Sequence, residues 1–278
     1  LIKKFDINPL VAEELLMPSA RPKVDTHKNF MYLILHFPKY KHQENKSESQ
    51  EVDFIIGKNF LITTHYDTIN SIYEFSKVFE TESILEKLKL DDDAGILFSN
   101  LIKKMYEYLE YELEHLDDGL EKIERKMFDS NESTAESLSK INKELIDFKR
   151  KIRSHREIIQ SFDQSSQKFF GKDFSYYSTS ILGSHERIWD TLESTKEILI
   201  DIRQTNDSLS TSKTNSIVKT LTILTFISIP VTIIANILGV NAENIPIVGH
   251  EMDFWIIISI MLAITLSMVL FFKHKKWL

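Results

Sequence analysis

Cysteine is absent from the 278 residues, which excludes disulfide scaffolds, thiolate zinc sites and cysteine nucleophiles. Glycine is scarce, with seven in the whole chain and no G-x-G-x-x-G or G-x-x-x-x-G-K-S/T string, so a glycine-rich loop that cradles phosphate is not expected. There is no excess of positive charge. Against 41 acidic residues stand 34 basic ones, a net of −7, which argues against nucleic acid as a partner. No set of nucleophile, base and oxyanion donors can be assembled, so an enzyme is not expected, nor is a bound cofactor. No cleavable N-terminal signal is visible, and a start at Leu1 fits a trimmed N terminus.

What the chain does have is two long uncharged runs at its C-terminal end. Thr220 to Ala242 is 23 residues without an ionisable side chain, and Phe254 to Phe272 is 19 more. About 20 apolar residues suffice to cross a bilayer core of ~30 Å. Eleven residues, Glu243 to Asp253, join the runs, so they read as a hairpin with both outer ends on one side. Lys213 and Lys219 precede the first run, and Lys273, His274, Lys275 and Lys276 follow the second, whereas the joining loop has no Lys or Arg. Positive residues stay inside, which places both termini in the cytoplasm, the acidic loop outside, and the chain in the inner membrane of the cell as a multi-pass protein. Trp255 and Trp277 suit interfacial anchors at the two faces.

The rest divides by pattern. Residues 1–93 read as an α/β domain. Asn8 caps a short helix that starts at Pro9, and strands are predicted at Phe30–Phe37, Val52–Ile56 and Phe60–Thr64, with the polar stretch Lys39–Gln50 as a long hairpin arm. Residues 94–170 read as an antiparallel helical hairpin. Ile102, Met105, Leu109, Leu113, Leu116, Leu120, Ile123 and Met127 recur in steps of three and four, and Asp129-Ser130-Asn131 breaks the pattern. A second stripe then runs through Leu138, Ile141, Leu145, Phe148, Ile152, Ile159 and Phe162. After Gly171 a third helix meets no obvious stop before Gly239, about 65 residues or roughly 100 Å. The expected order is therefore a stalk helix at 171–215, a first transmembrane helix at 216–242, an external loop at 243–253, a second transmembrane helix at 254–272 and a basic cytoplasmic tail at 273–278.

The triplet Gly239-Val240-Asn241, set after a long stalk and 23 uncharged residues and before a short acidic loop, resembles the signature of the CorA family of divalent metal ion transporters. Asn8-Pro9-Leu10-Val11, Arg21-Pro22-Lys23-Val24, Lys213-Thr214-Asn215 and the ending Phe272-Lys273-His274-Lys275-Lys276-Trp277-Leu278 are similar to family segments along nearly the whole chain. The resemblance implies a homopentameric funnel in which five first spans line a central pore and five second spans form an outer ring in the lipid bilayer. Asn215, Val218, Thr222, Thr225, Ile229, Thr232 and Asn236 then fall on one face of the first span, and five of the seven are polar. The plainer reading of the threonines is that each bonds a carbonyl one turn back. Val218, Leu221 and Ile229 are candidates for a hydrophobic gate, and Pro230 for a kink.

Mg²⁺ sheds water reluctantly. Five copies of Asn241 at the outer mouth would supply neutral oxygens that hold the ion through its water shell, with Gly239 permitting a tight backbone; the alternative is a plain helix cap. Glu243, Glu251 and Asp253 would draw cations to the mouth, and His250 is a possible zinc ligand or simply solvated. The expected activity is a channel for divalent cations, Mg²⁺ first, then Co²⁺ or Ni²⁺. The alternatives are a Zn²⁺ transporter, proton-coupled like the ZntB-like branch, and a membrane-anchored coiled-coil adaptor that conducts nothing. Val240 stands where magnesium carriers of the family commonly have Met, and is similar to the zinc-transporting ZntB-like branch and to uncharacterised relatives. Asn236 replaces a small residue of the family. Where magnesium-gated members have regulatory carboxylates, this chain has Asn70 and Gln204, with Asp67, Asp201 and Asp207 nearby but displaced. Asp91-Asp92-Asp93 reads as a helix cap, the Glu107–Asp118 cluster as a solvated face, and His155 and His185 lack a partner at metal-ligand spacing.

Overall fold

The computed structural model describes residues 2–41, 46–84, 94–129, 134–240 and 252–277. Asp91–Asp93, Ser130, Asn131, Asn241, Glu243, His250 and Glu251 lie outside the described residues, so the expectations for them carry no structural account. In chain order the elements are α1 (Ile2–Phe5), α2 (Pro9–Glu14), β1 (Lys23–Thr26), β2 (Phe30–Lys41), β3 (Lys46–Gly57), β4 (Leu61–His65), α3 (Asn70–Ile84), α4 (Ala94–Asp129), α5 (Ala135–Ile152), α6 (His155–Phe170), a 3₁₀ turn (Lys172–Phe174), α7 (Ser175–Leu238) and α8 (Asp253–His274). The chain divides into two compact units, Leu1–Arg203 and Gln204–Leu278, and α7 contributes to both.

The sheet of the first unit is an antiparallel meander in the order β1-β2-β3-β4. Its centre is buried on both faces, which is why Phe30–Phe37 reads as a continuous apolar run rather than an alternation. Phe30, Tyr32, Ile34 and Ile55 pack with Ile7 and Val11 of the N-terminal segment. Odd positions of β2 and even positions of β3 face the helices. Phe54 meets Phe98 of α4 edge-on at 5.2 Å, and Phe98 meets Phe162 of α6 at 5.0 Å. The polar arm continues the pairing out to Lys41 opposite Lys46. Asn8 caps α2 as expected, its Oδ1 accepting the Leu10 N–H at 3.0 Å; Leu10 and Leu16, however, are exposed and only Val11 of that helix is buried.

Two differences from the expected elements have physical causes. β1 is an extra edge strand, paired only with β2; its sequence Lys-Val-Asp-Thr is too polar to read as a strand. The second apolar stripe belongs to two helices, because the chain turns at Arg153 and Ser154, where the Ser154 hydroxyl donates to the Lys151 carbonyl at 3.1 Å. The apolar face stays in phase across this break through His155. Gly171 ends α6 at φ 108°, a backbone conformation open to glycine.

His155 is a core residue. Its Nδ1 accepts the Tyr106 hydroxyl at 2.9 Å, and its Nε2–H donates to the His36 carbonyl at 3.0 Å. This arrangement requires the neutral ring, and burial pushes its pKa down to about 3. His185 donates from Nε2 to the Ile152 carbonyl at 3.1 Å and is also lowered by burial. These histidines hold α4, α5, α6, α7 and the sheet in register through hydrogen bonds.

In the second unit α8 ends in a Schellman motif without glycine. Trp277 N–H donates to the Phe272 carbonyl at 2.9 Å, Lys276 N–H donates to the Lys273 carbonyl at 3.1 Å, and Lys276 stands at φ 55°. The apolar contact that accompanies this motif is the Trp277 ring stacked on Phe272 at 6.0 Å.

Acid should weaken the first unit through His155. Its folded pKa lies below the ordinary 6.5, so its contribution is full above pH 6.5 and is lost as pH falls toward about 3, at up to roughly 1.4 kcal/mol per unit. The unfolding midpoint of the full chain in detergent is expected to drop between pH 7 and pH 4.5, less steeply for His155→Phe; equal slopes would sink this assignment. At the other end of the chain, Lys276→Gly is expected to slow hydrogen exchange of the amides at 276 and 277 and Lys276→Val to hasten it, since a left-handed non-glycine residue is strained by roughly 1 kcal/mol. Unchanged exchange in both would remove the role given to the cap.

Candidate functional site

Among the described residues two helices are long and apolar enough to cross a membrane, the C-terminal part of α7 and all of α8. The faces of α7 can be placed at 100° per residue. With Thr225 as origin, Val218, Leu221, Ile229, Thr232 and Asn236 fall within about 40° of it, and all are exposed in the single chain. Ile223, Ile227, Ile234 and Leu238 fall within about 40° of the opposite point, and these are buried or half-buried. That opposite side packs toward α8, whose Asp253, Ile257, Met261, Ile264, Thr265, Met268, Val269 and Phe272 are the covered ones; near the basic end the Phe226 and Phe272 rings lie 6.4 Å apart. The mixed polar face therefore points away from α8. Thr222 and Asn215 sit on its flank.

The hydroxyls of this face all turn inward along the helix. Thr222 donates to the Val218 carbonyl at 2.7 Å, Thr225 to Leu221 at 2.8 Å, Ser228 to Leu224 at 2.8 Å and Thr232 to Ser228 at 2.9 Å. This is the plainer reading of the threonines, and it has a chemical consequence. A hydroxyl whose proton is committed to a carbonyl offers only oxygen lone pairs outward, so the face is rich in acceptors. Ser228 escaped the sequence pattern, although it lies three residues after Thr225 and four before Thr232; with those two and Ile229 it lines a shallow hollow.

At the far end, α7 stops at Leu238. A Cβ on Gly239 would lie 3.1 Å from the Ala235 carbonyl oxygen, so glycine serves close approach of the backbone here. Val240 is exposed. Asp253 is the first residue of α8, half-buried, with its Oδ1 accepting the Phe254 N–H at 2.6 Å; a carboxylate there also complements the helix dipole. Pro230 lies inside α7 and, lacking an N–H, leaves the Phe226 carbonyl without its usual donor.

Away from the span, Asn70 opens α3 and is exposed, as are Asp67, Asp201, Gln204 and Asp207. Asp67 uses its carbonyl to accept from His65 Nδ1 at 2.6 Å. Along α4, Glu107 pairs with Lys104 at 2.9 Å on the exposed face. Among the described residues no three His, Asp or Glu side chains gather into a metal-holding group.

The profile of a family described as "CorA-like Mg2+ transporter protein" matches residues 1–274. The cobalt/magnesium transport protein CorA of Thermotoga maritima is 27% identical over 277 residues, covering 99% of this chain and 78% of that protein. The complete structure of the CorA magnesium transporter from Methanocaldococcus jannaschii superposes with a TM-score of 0.86 at 22% identity, over 100% of this chain and 86% of that one. The ZntB cytoplasmic domain from Vibrio parahaemolyticus superposes with a TM-score of 0.61 at 16% identity, over 76% and 82% of the two chains.

Proposed function

The chain belongs to the CorA-like Mg²⁺ transporter family, and from that membership we propose that it conducts Mg²⁺ and related divalent cations through a path lined by the polar face of its first apolar span. The observation that carries the reading is the acceptor-rich face opposite α8. The water shell of Mg²⁺ presents hydrogens outward, and Mg²⁺ keeps that shell because dehydration is costly. Inward-turned hydroxyls and the Asn236 amide can accept from those waters without stripping them, while Val218, Leu221 and Ile229 narrow the path with apolar side chains that can gate it by dewetting.

One hairpin cannot enclose a path, since a single α7 exposes its polar face to whatever surrounds it. Five copies with α7 inside and α8 outside bury that face and leave the apolar α8 to the lipid. Both termini lie in the cytoplasm of the inner membrane, with basic residues flanking the spans on that side. Asn241, with Gly239 and Val240 setting its backbone, forms the outer ring that admits the hydrated ion, and Glu243, Glu251 and Asp253 raise the local cation concentration. No observation favours the zinc or the adaptor alternative; the ZntB superposition is a likeness of fold.

Flux into proteoliposomes with Mg²⁺, Co²⁺, Ni²⁺ and Zn²⁺, with and without a proton gradient, tests the reading. Mg²⁺ flux without a proton requirement is expected, and Asn241→Ala should reduce it at least tenfold with assembly intact. An assembled variant that transports at the parent rate, or a parent that carries only Zn²⁺ with protons, would overturn it.

Asn70 and Gln204 generate a second expectation. A carboxylate contributes roughly 4 kcal/mol of attraction per unit of cation charge at 4 Å and an effective dielectric of 20, and a neutral amide contributes far less. Cytoplasmic Mg²⁺ at millimolar concentration should therefore barely inhibit flux. Sharp inhibition that is removed by Asp67→Ala or Asp207→Ala would place the regulatory carboxylates at those positions instead.

A further inference from the structure

The face of the sheet under the N-terminal segment carries two carboxyl groups that ion transport does not use. Glu51 and Asp53 sit two residues apart on β3, on the same side of the strand, and are 7% and 2% exposed. Glu51 ties down the chain that follows α2. Both of its oxygens accept the Ser19 N–H, at 2.9 and 2.8 Å. Directly opposite Glu51 in the β2–β3 ladder, His36 places Nε2 at 2.9 Å from the Ser19 carbonyl and 3.2 Å from Glu51 Oε2. One residue of the N-terminal strap is thus held at both its N–H and its C=O. Asp53 is packed behind this clasp. Its Oδ2 accepts from Tyr32 at 3.3 Å and Thr64 at 3.4 Å, while its Oδ1 has no donor.

A buried carboxylate oxygen without a donor beside a second buried carboxylate is costly if both are ionised. A proton on Asp53 removes one charge and turns the orphan acceptor into a donor. Burial and the neighbouring Glu51 charge push the Asp53 pKa up to about 7, the hydroxyls of Tyr32 and Thr64 opposing them. The other charged groups on this face are accounted for. Lys23 of β1 lies over the Tyr32 ring at 5.0 Å but is already paired with Glu14 of α2 at 2.6 Å and Asp25 at 3.0 Å. Tyr66, just after β4, reaches the Leu15 carbonyl at 3.5 Å. Glu51 borders a cleft of about 440 Å³ lined also by Ser19, His36, Tyr66 and Asp67, and Asp53 lies behind it.

We propose that Asp53 and Glu51 form a proton-binding site that latches the N-terminal strap to the sheet. With the proton bound, Glu51 keeps its full negative charge on the Ser19 N–H and the strap is closed. When the proton leaves through the cleft, two carboxylates face each other out of water, and Glu51 relieves the repulsion by swinging into the cleft and releasing Ser19. Linkage sets the sign and the size. Asp53 has a raised folded pKa, so its stabilising contribution is full at low pH and is lost as pH rises through about 7. Opening that returns Asp53 to an ordinary carboxylate pKa becomes about tenfold more favourable between pH 6 and pH 8.5.

The test is hydrogen exchange of the full chain in detergent, read over the amides of residues 15–22 and corrected for intrinsic rates. Protection is expected to fall about tenfold from pH 6 to pH 8.5. Asp53→Asn keeps the Tyr32 and Thr64 contacts, removes the carboxyl group and should make protection independent of pH, with His36 and Glu51 left in place. A protonated-carboxyl infrared band that titrates near pH 7 in the parent and is missing from Asp53→Asn gives a second reading that does not depend on the strap. Equal protection at both pH values in the parent overturns the proposal, as does an unchanged pH response in Asp53→Asn, which would place its origin outside Asp53. The outcome is independent of which cation the protein carries.

Discussion

The backbone of α7 is the constraint on which the rest depends. Its 64 residues run from a part packed on protein to a part that must lie in hydrocarbon, where an unpaired N–H or C=O has no water to turn to. Polar groups in the second part are therefore best satisfied within the helix itself, and the hydroxyls of Thr222, Thr225, Ser228 and Thr232 obey this by donating one turn back, whereas the Phe226 carbonyl opposite Pro230 lacks its helical donor. The same rule shapes α8, where Ser259 donates to the Trp255 carbonyl at 2.8 Å and Thr265 to the Met261 carbonyl at 2.9 Å. Hydroxyls alone therefore do not mark a conducting face, since both helices carry them. What distinguishes α7 is their concentration on the side turned away from its partner helix.

The first unit solves a different problem, that of covering a sheet on two sides. Helices α4, α5 and α6 close one face with apolar and aromatic contacts, and the buried histidines act as neutral hydrogen-bonding wedges between layers. The other face is closed by a short segment, α1, α2 and the residues after them. Ile7 and Val11 are buried, and the polar clasp at Ser19 supplies the rest. A cover held by a few directional bonds is easier to lift than one held by area, because a single lost proton acceptor removes a large share of the hold.

Much of this could be read in the sequence, and the parts that could not share a cause. The α/β layer, the long helix and the two C-terminal apolar helices follow from periodicity and run length, signals that tertiary context rarely overrides. The polar stripe on the first span was legible because helical geometry alone decides which residues share a face. Its relation to α8 was not, as that needs the packing of a second helix. Glu51 and Asp53 alternate along β3 as solvent-facing residues would, and nothing local announces that the N-terminal strap will cover them. His155 and His185 looked idle because their partners are a tyrosine and backbone carbonyls rather than metal ligands. The helix end at Lys276 was hidden for a simpler reason: the left-handed position that usually calls for glycine is filled by lysine, and the stacked Trp277 compensates.

Pro230 gives α7 a mechanical property as well as a missing bond. The Phe226 carbonyl has no helical donor, so the nine residues from Pro230 to Leu238 are joined to the rest of the helix with one i→i−4 hydrogen bond fewer than usual. Bending is cheapest there. A sideways load applied at Gly239 would be taken up at this joint rather than passed along a rigid rod. The tip of the helix, with Val240 just beyond it, can thus change its tilt by a few degrees while the hydroxyl ladder stays whole and no turn of the helix has to unwind.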